Sequence, residues 1–214
     1  MKQLPVALAS ALILASCSTI IGGFTSTSKS AGGIGPATIG NGDTKLSNDK
    51  FEALSIESGS LTITNVSILE NLSVSKNVTA TKLTVKGNSS VGGSLIDSNS
   101  SFNENCTVGN NISADKSYFA KNIEFAGTNL TLQNKSKVVG DIISTSTEPT
   151  TIVIDHSIVK GIIGFTNPNG KVIIQNKGHL TGRVFNGKVE DLTGHDSYEG
   201  DDNDDFAESD IAIK

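Results

Sequence analysis

Large rings are scarce in this chain. Among 214 residues there is no Trp, with two Tyr and four Pro against 22 Gly. A chain of this length can bury one sizeable core. Without bulky aromatics to span a wide interior, that core must be narrow and filled by Val, Ile and Leu. Cysteine is scarce as well, at two, which excludes a disulfide framework. A basic field is missing. From Cys17 to Gly194 the chain carries 15 bases and 14 acids, so the class of nucleic-acid binders is set aside. The surplus acid sits from His195 to Lys214, where eight acids face one base. Long apolar runs are missing too, since the best one, Leu4 to Leu14, is shorter than the roughly 20 residues a spanning helix needs.

That run is informative for its position. It follows Lys2 and ends in Ala15-Ser16-Cys17, the order of charged, apolar and small-residue regions found in a secretory signal. The stretch Leu14-Ala15-Ser16-Cys17 resembles the lipobox of bacterial lipoproteins. The resemblance implies a signal peptide over 1–16, cleavage before Cys17, a diacylglycerol on its sulfur and acylation of the new amino group. Several acyl chains hold a protein stably at a membrane, each buried CH₂ contributing about 0.8 kcal/mol. Ser18 in place of Asp after the cysteine resembles lipoproteins sorted to the outer membrane. Residues 17–45, rich in Gly, Ser and Thr, have the composition of a flexible tether.

Over 46–194 the chain repeats itself. Leu61-Thr62-Ile63, Leu83-Thr84-Val85, Cys106-Thr107-Val108, Leu130-Thr131-Leu132, Ile152-Val153-Ile154 and Val172-Ile173-Ile174 start at intervals of 22, 23, 24, 22 and 20 residues. A further apolar site about seventeen residues into the unit recurs less regularly, as Val78, Ile123 and Val189. Apolar and polar residues alternate within each run, the period of a half-buried strand. Thr, Val and Ile favour strands, and Gly, Asn, Asp and Ser permit the turns between them. Short strands repeating at about 22 residues point to an all-β, single-stranded parallel β-helix of about six coils, with a unit length that suits the right-handed form. A β-sandwich also has closely spaced strands, but has no reason to repeat apolar and glycine positions at that interval. "LTLQNKSKVVGDI" from Leu130 and "VIIQNKGHLTGRV" from Val172 are then one corner seen two coils apart.

"KVVGDI", "IVKGII" and "HLTGRVFNGKV", with glycines at Gly140, Gly161 and Gly182, resemble the bactofilin type of polymer-forming β-helix protein. That implies a tendency to stack end to end. It does not carry over a cytoplasmic filament, because the lipobox resemblance directs this chain outward.

Signals for chemistry are sparse. Nine Asn-X-Ser/Thr triplets, among them those at Asn65, Asn71, Asn77, Asn105 and Asn129, read as turn and strand-face residues. Cys106 fills the slot of Leu61, Leu83, Leu130, Ile152 and Val172 and reads as a buried small hydrophobe. His156, His179 and His195 form no pair at metal-ligand spacing, and no cofactor is expected. The acids Asp97, Asp115, Glu124, Asp141 and Asp155 recur at no common coil position, which argues against an enzyme. "DDNDDF" from Asp201 fails as an EF-hand, with Phe206 where glycine belongs and Ala212 where the bidentate Glu belongs. Residues 195–214 read as a solvated acidic tail. The expectation is a lipid-anchored, non-catalytic envelope protein with a structural, adhesive or self-assembling role. A glycan- or peptidoglycan-binding module, or an accessory subunit of an envelope complex, is the alternative.

Overall fold

The computed structural model describes residues 18–20 and 35–194. The expected signal peptide and lipobox (Leu14, Ala15, Ser16), Cys17 and the acidic segment from His195 lie outside these residues. The described chain is all-β, and its strands pair in parallel as about nine turns of a solenoid. A sandwich is excluded, because each strand pairs with the equivalent strand one turn on.

Each coil has three sides. The first runs through Leu61, Val78, Leu95, Ile112, Leu130, Ile152, Val172 and Val189, each paired with the next. On the second side Tyr118, Lys137, Ile158 and His179 follow one another. The third stacks Leu54, Leu72, Ser89, Cys106, Ile123, Ile142, Ile163 and Val184. At about 4.8 Å per coil the rod is roughly 40 Å long.

The period corrects the expected count of six coils. Partners in the first half are 17 residues apart, as Asn65 and Asn48 or Asn88 and Asn71 are. Leu61-Thr62-Ile63 lies on the first side, Leu83-Thr84-Val85 on the second and Cys106-Thr107-Val108 on the third. The first three steps, of 22 to 24 residues, are therefore one coil plus one side, while the last two, of 22 and 20, are single longer coils. From Leu61 to Leu130, four coils pass where three units were counted. The true period was present as the minor apolar site: Val78, Ile123 and Val189 are the coil partners of Leu61, Cys106 and Val172. Cys106 is buried as expected, but in the third-side column between Ser89 and Ile123, not in the slot of Leu61. Leu130 and Val172 do share a column, with Ile152 between them.

The interior is a continuous strip of Leu, Ile, Val and Phe running from Leu46 to Ile174. Phe102 and Phe119 stack on successive coils with centroids 4.9 Å apart and planes 7° from parallel, a geometry that adds to simple burial. Phe165 fits because Gly170 and Gly187, paired on adjacent coils, leave its ring the space a Cβ would occupy. Gly140, Gly161 and Gly182 line the corner between second and third sides, and a Cβ on Gly161 would collide with the Gly140 carbonyl. The stack also takes in Ala37–Ile39, paired with Leu54–Ile56, and Ser18–Ile20, paired with Ala37–Ile39. Both lie within the segment read as a tether.

Candidate functional site

The corner between first and second sides is built from left-handed residues. Asn48, Asn65, Lys82, Asn99, Lys116, Asn134, His156 and Asn176 have φ between 46° and 55°. Asn tolerates this region better than most residues because its short amide can bond locally, and Asn65 donates to Asn48 Oδ1 at 2.8 Å. The repeated Gln-Asn-Lys falls here. Gln133-Asn134-Lys135 and Gln175-Asn176-Lys177 are the same turn two coils apart, with Asp155-His156 between them.

This registration brings together two acids that the sequence reading kept apart. Asp115 pairs with Gln133 and Asp155 with Gln175, so Asp115, Gln133, Asp155 and Gln175 form one column. Coils of unequal length concealed it. The carboxylates stand roughly 10 Å apart, two coil spacings, and amides occupy them. Asn134 donates to Asp115 at 2.7 Å, while Gln175 and Asn176 donate to the two oxygens of Asp155 at 3.2 and 2.9 Å. Of the other candidates, Asp141 accepts the Ile162 N–H at 2.9 Å and Glu124 faces outward on the third side. His156 is half-buried at its corner, and His179 is exposed on the second side. No group of three His, Cys, Asp or Glu suited to a metal occurs among the described residues.

Asp97 is different. It occupies the inward column between Ala80 and Ala114, is 3% exposed, and neither carboxyl oxygen has a hydrogen-bond partner. Burial raises its pKa to about 7, and Asp115 adds to the effect. Ser117 pulls the other way, but its single proton is committed to the Asp115 carbonyl at 3.0 Å. Burial, then Asp97, also push the Cys106 thiol up, leaving it a poor nucleophile.

Beside Asp97 runs a buried polar column that sequence reasoning missed. Ser100, Ser117, Ser136 and Ser157 stack on successive coils. Each hydroxyl accepts the N–H of its counterpart one coil earlier, from Leu83 to Ser100 (3.2 Å), Ser100 to Ser117 (3.2 Å), Ser117 to Ser136 (3.1 Å) and Ser136 to Ser157 (3.1 Å). Each donates to a carbonyl of its own coil at 2.8–3.2 Å. The four serines directly follow Asn99, Lys116, Lys135 and His156, all left-handed, and that recurrence was the available signal.

Asparagine makes a parallel ladder outside. Asn71, Asn105 and Asn122 accept the N–H of the corresponding residue on the next coil at 2.9, 3.3 and 2.9 Å, as Asn77 does from Ser94 at 2.8 Å. The Asn-X-Ser/Thr asparagines therefore sit at corners. Outward positions on the first side carry Thr62, Thr79, Ser113 and Thr131 in one row, interrupted by Ile96. The last described coil leaves Phe185 (52%), Val189 (49%) and Leu192 (55%) exposed, with no further coil over them among the described residues. Compared with family models, curated proteins and solved structures, the chain matches none.

Proposed function

We propose that this is a lipid-anchored, non-catalytic β-solenoid of a bacterial envelope, a stiff rod with a structural or adhesive role that self-associates through the exposed apolar residues of its last described coil. The carrying observation is the division of labour among its polar groups. Amides and hydroxyls at the corners satisfy backbone N–H groups on the neighbouring coil, and the paired acids Asp115 and Asp155 accept from amides. Such groups stiffen a scaffold and are unsuited to shuttling protons. Ser18, directly after Cys17, is the first residue of a strand in the stack. Acyl chains on Cys17 would hold the rod by that end and direct Phe185, Val189 and Leu192 away from the bilayer.

Two measurements test this reading. Palmitate labelling of the expressed chain should be lost, with release from the membrane fraction, in Cys17→Ala; a labelled or still membrane-bound variant overturns the anchor. Sedimentation of the full chain should show concentration-dependent association that Val189→Asp abolishes; monomers at every concentration overturn the self-associating role. The Thr and Ser row on the first side favours glycan binding as a second reading, and a peptidoglycan pull-down separates the two.

A further inference from the structure

The near-neutral charge of the body conceals a segregation. Over the first four coils the second side and its corners are mixed, with Lys50, Lys82 and Lys86 among Asp49, Glu52, Glu70 and Glu104. Over the next four coils the same side turns basic. Lys116, Lys135 and Lys177 stand at the left-handed corner. Lys137 lies in the middle row between Tyr118 and Ile158, with its ammonium 5.9 Å from the Tyr118 ring centroid. Lys121 and Lys160 flank the glycine corner, and Arg183 comes just before Val184. His156 and His179 belong to this side as well. The acids at its margins, Asp115, Asp141 and Asp155, already accept hydrogen bonds from neighbouring coils. Six of the seven bases are exposed and Lys137 is half-buried.

We infer that the chain's own acidic segment, 195–214, lies along this basic side and screens it. The charges are opposite in sign: the segment carries eight acids against one base, and this side seven bases against Asp115, Asp141 and Asp155. The segment leaves the body at Gly194, directly after the coil that carries Lys177 and Arg183. The reach is sufficient, because seven extended residues from Gly194 to Asp201 span about 23 Å and the four coils about 19 Å. Tethering gives a local concentration in the millimolar range, which an untethered polyanion must exceed to compete. The contacts are exposed ion pairs, individually weak, so the screen depends on their number and yields to salt.

The inference does not rest on the membrane anchor or on self-association. Carbodiimide coupling of the full chain, followed by peptide mapping, tests it. Asp201, Asp202, Asp204 and Asp205 should couple to Lys135, Lys137, Lys160 and Lys177 about tenfold more often than to Lys45 and Lys76, as millimolar tethering at one face requires. The preference should survive dilution and vanish at about 0.5 M salt, where the Debye length is near 4 Å. Equal coupling to Lys45 and Lys76, or none to the second side, overturns the inference. So does coupling between isotopically distinct copies, which would make a second molecule the occupant. Independently, the full chain with Asp201, Asp202, Asp204 and Asp205 changed to Asn should elute from immobilised heparin at higher salt than the unaltered protein. Identical elution overturns the screen.

Discussion

The first three coils and the four that follow solve the same corner in different ways. In the first three, one strand of eight residues runs through it, as in Leu61–Ile68 and Val78–Val85, and this position holds a half-buried Asp49, then the buried Val66 and Leu83. From the fourth coil the strand divides, as in Leu95–Ser98 and Ser101–Phe102, and a serine takes that position. A hydroxyl can replace an aliphatic here because four of them link into a chain in which each hydroxyl both donates and accepts. Buried polar groups cost little when satisfied and much when orphaned. Asp97 makes the converse point. It enters the interior at the coil where the change occurs, and no chain receives it.

The largest disruption should come from the aliphatic half. Leu83→Ala removes a fully buried side chain and should cost about 4 kcal/mol in urea unfolding. Leu83→Ser should cost no more than that, since its hydroxyl would extend the serine chain by one coil. A clearly larger loss for Ser would show that the chain cannot grow in that direction.

At the junction, Asp97→Val should stabilise the protein by roughly 3 kcal/mol at pH 8. The sign follows from linkage. The folded pKa of about 7 lies above the ordinary value of 3.8, so between these the folded state keeps a proton that the unfolded chain has released. Stability should fall as pH rises from about 4 to 7 and level off above. Thermal melts should show that fall in the unaltered protein and a flatter profile in Asp97→Val.

In the serine half, Ser136→Val leaves the buried Ser117 N–H without an acceptor and should cost about 2 kcal/mol. Ser136→Thr keeps the hydroxyl and should recover part of that loss. The smallest effect is at the left-handed corner, where Lys82 has φ 55°. Lys82→Asn should gain up to about 1 kcal/mol, the order of the Cβ penalty for that conformation.

The sequence disclosed the solenoid because a core strip must repeat its aliphatics. It also disclosed that Leu130 and Val172 belong together, because a whole turn, Gln-Asn-Lys, is copied with them. The coil count was obscured by near-degeneracy. All three sides use the same apolar-Thr-apolar pattern, so stepping by a coil plus a side looks as regular as stepping by a coil. The column of Asp115 and Asp155 was hidden by insertion: extra residues around Glu148-Pro149 stretch one coil, and fixed spacing loses the match. The basic side was invisible for a simpler reason. Charge on an outward face is under no demand to be periodic, and only the folded path shows that Lys135, Lys160 and Lys177 share an aspect.

One consequence follows from partners that are almost always one coil away. A coil here behaves like a washer on a bolt, interchangeable with its neighbours of equal thickness. Deleting the 17 residues that separate Val78 from Leu95 would return the chain to register and shorten the rod by about 4.8 Å, while duplicating them would lengthen it equally. How far its tip stands from its base is thus an inheritable quantity, adjustable in whole steps by copying errors in a gene, with no new interface to invent.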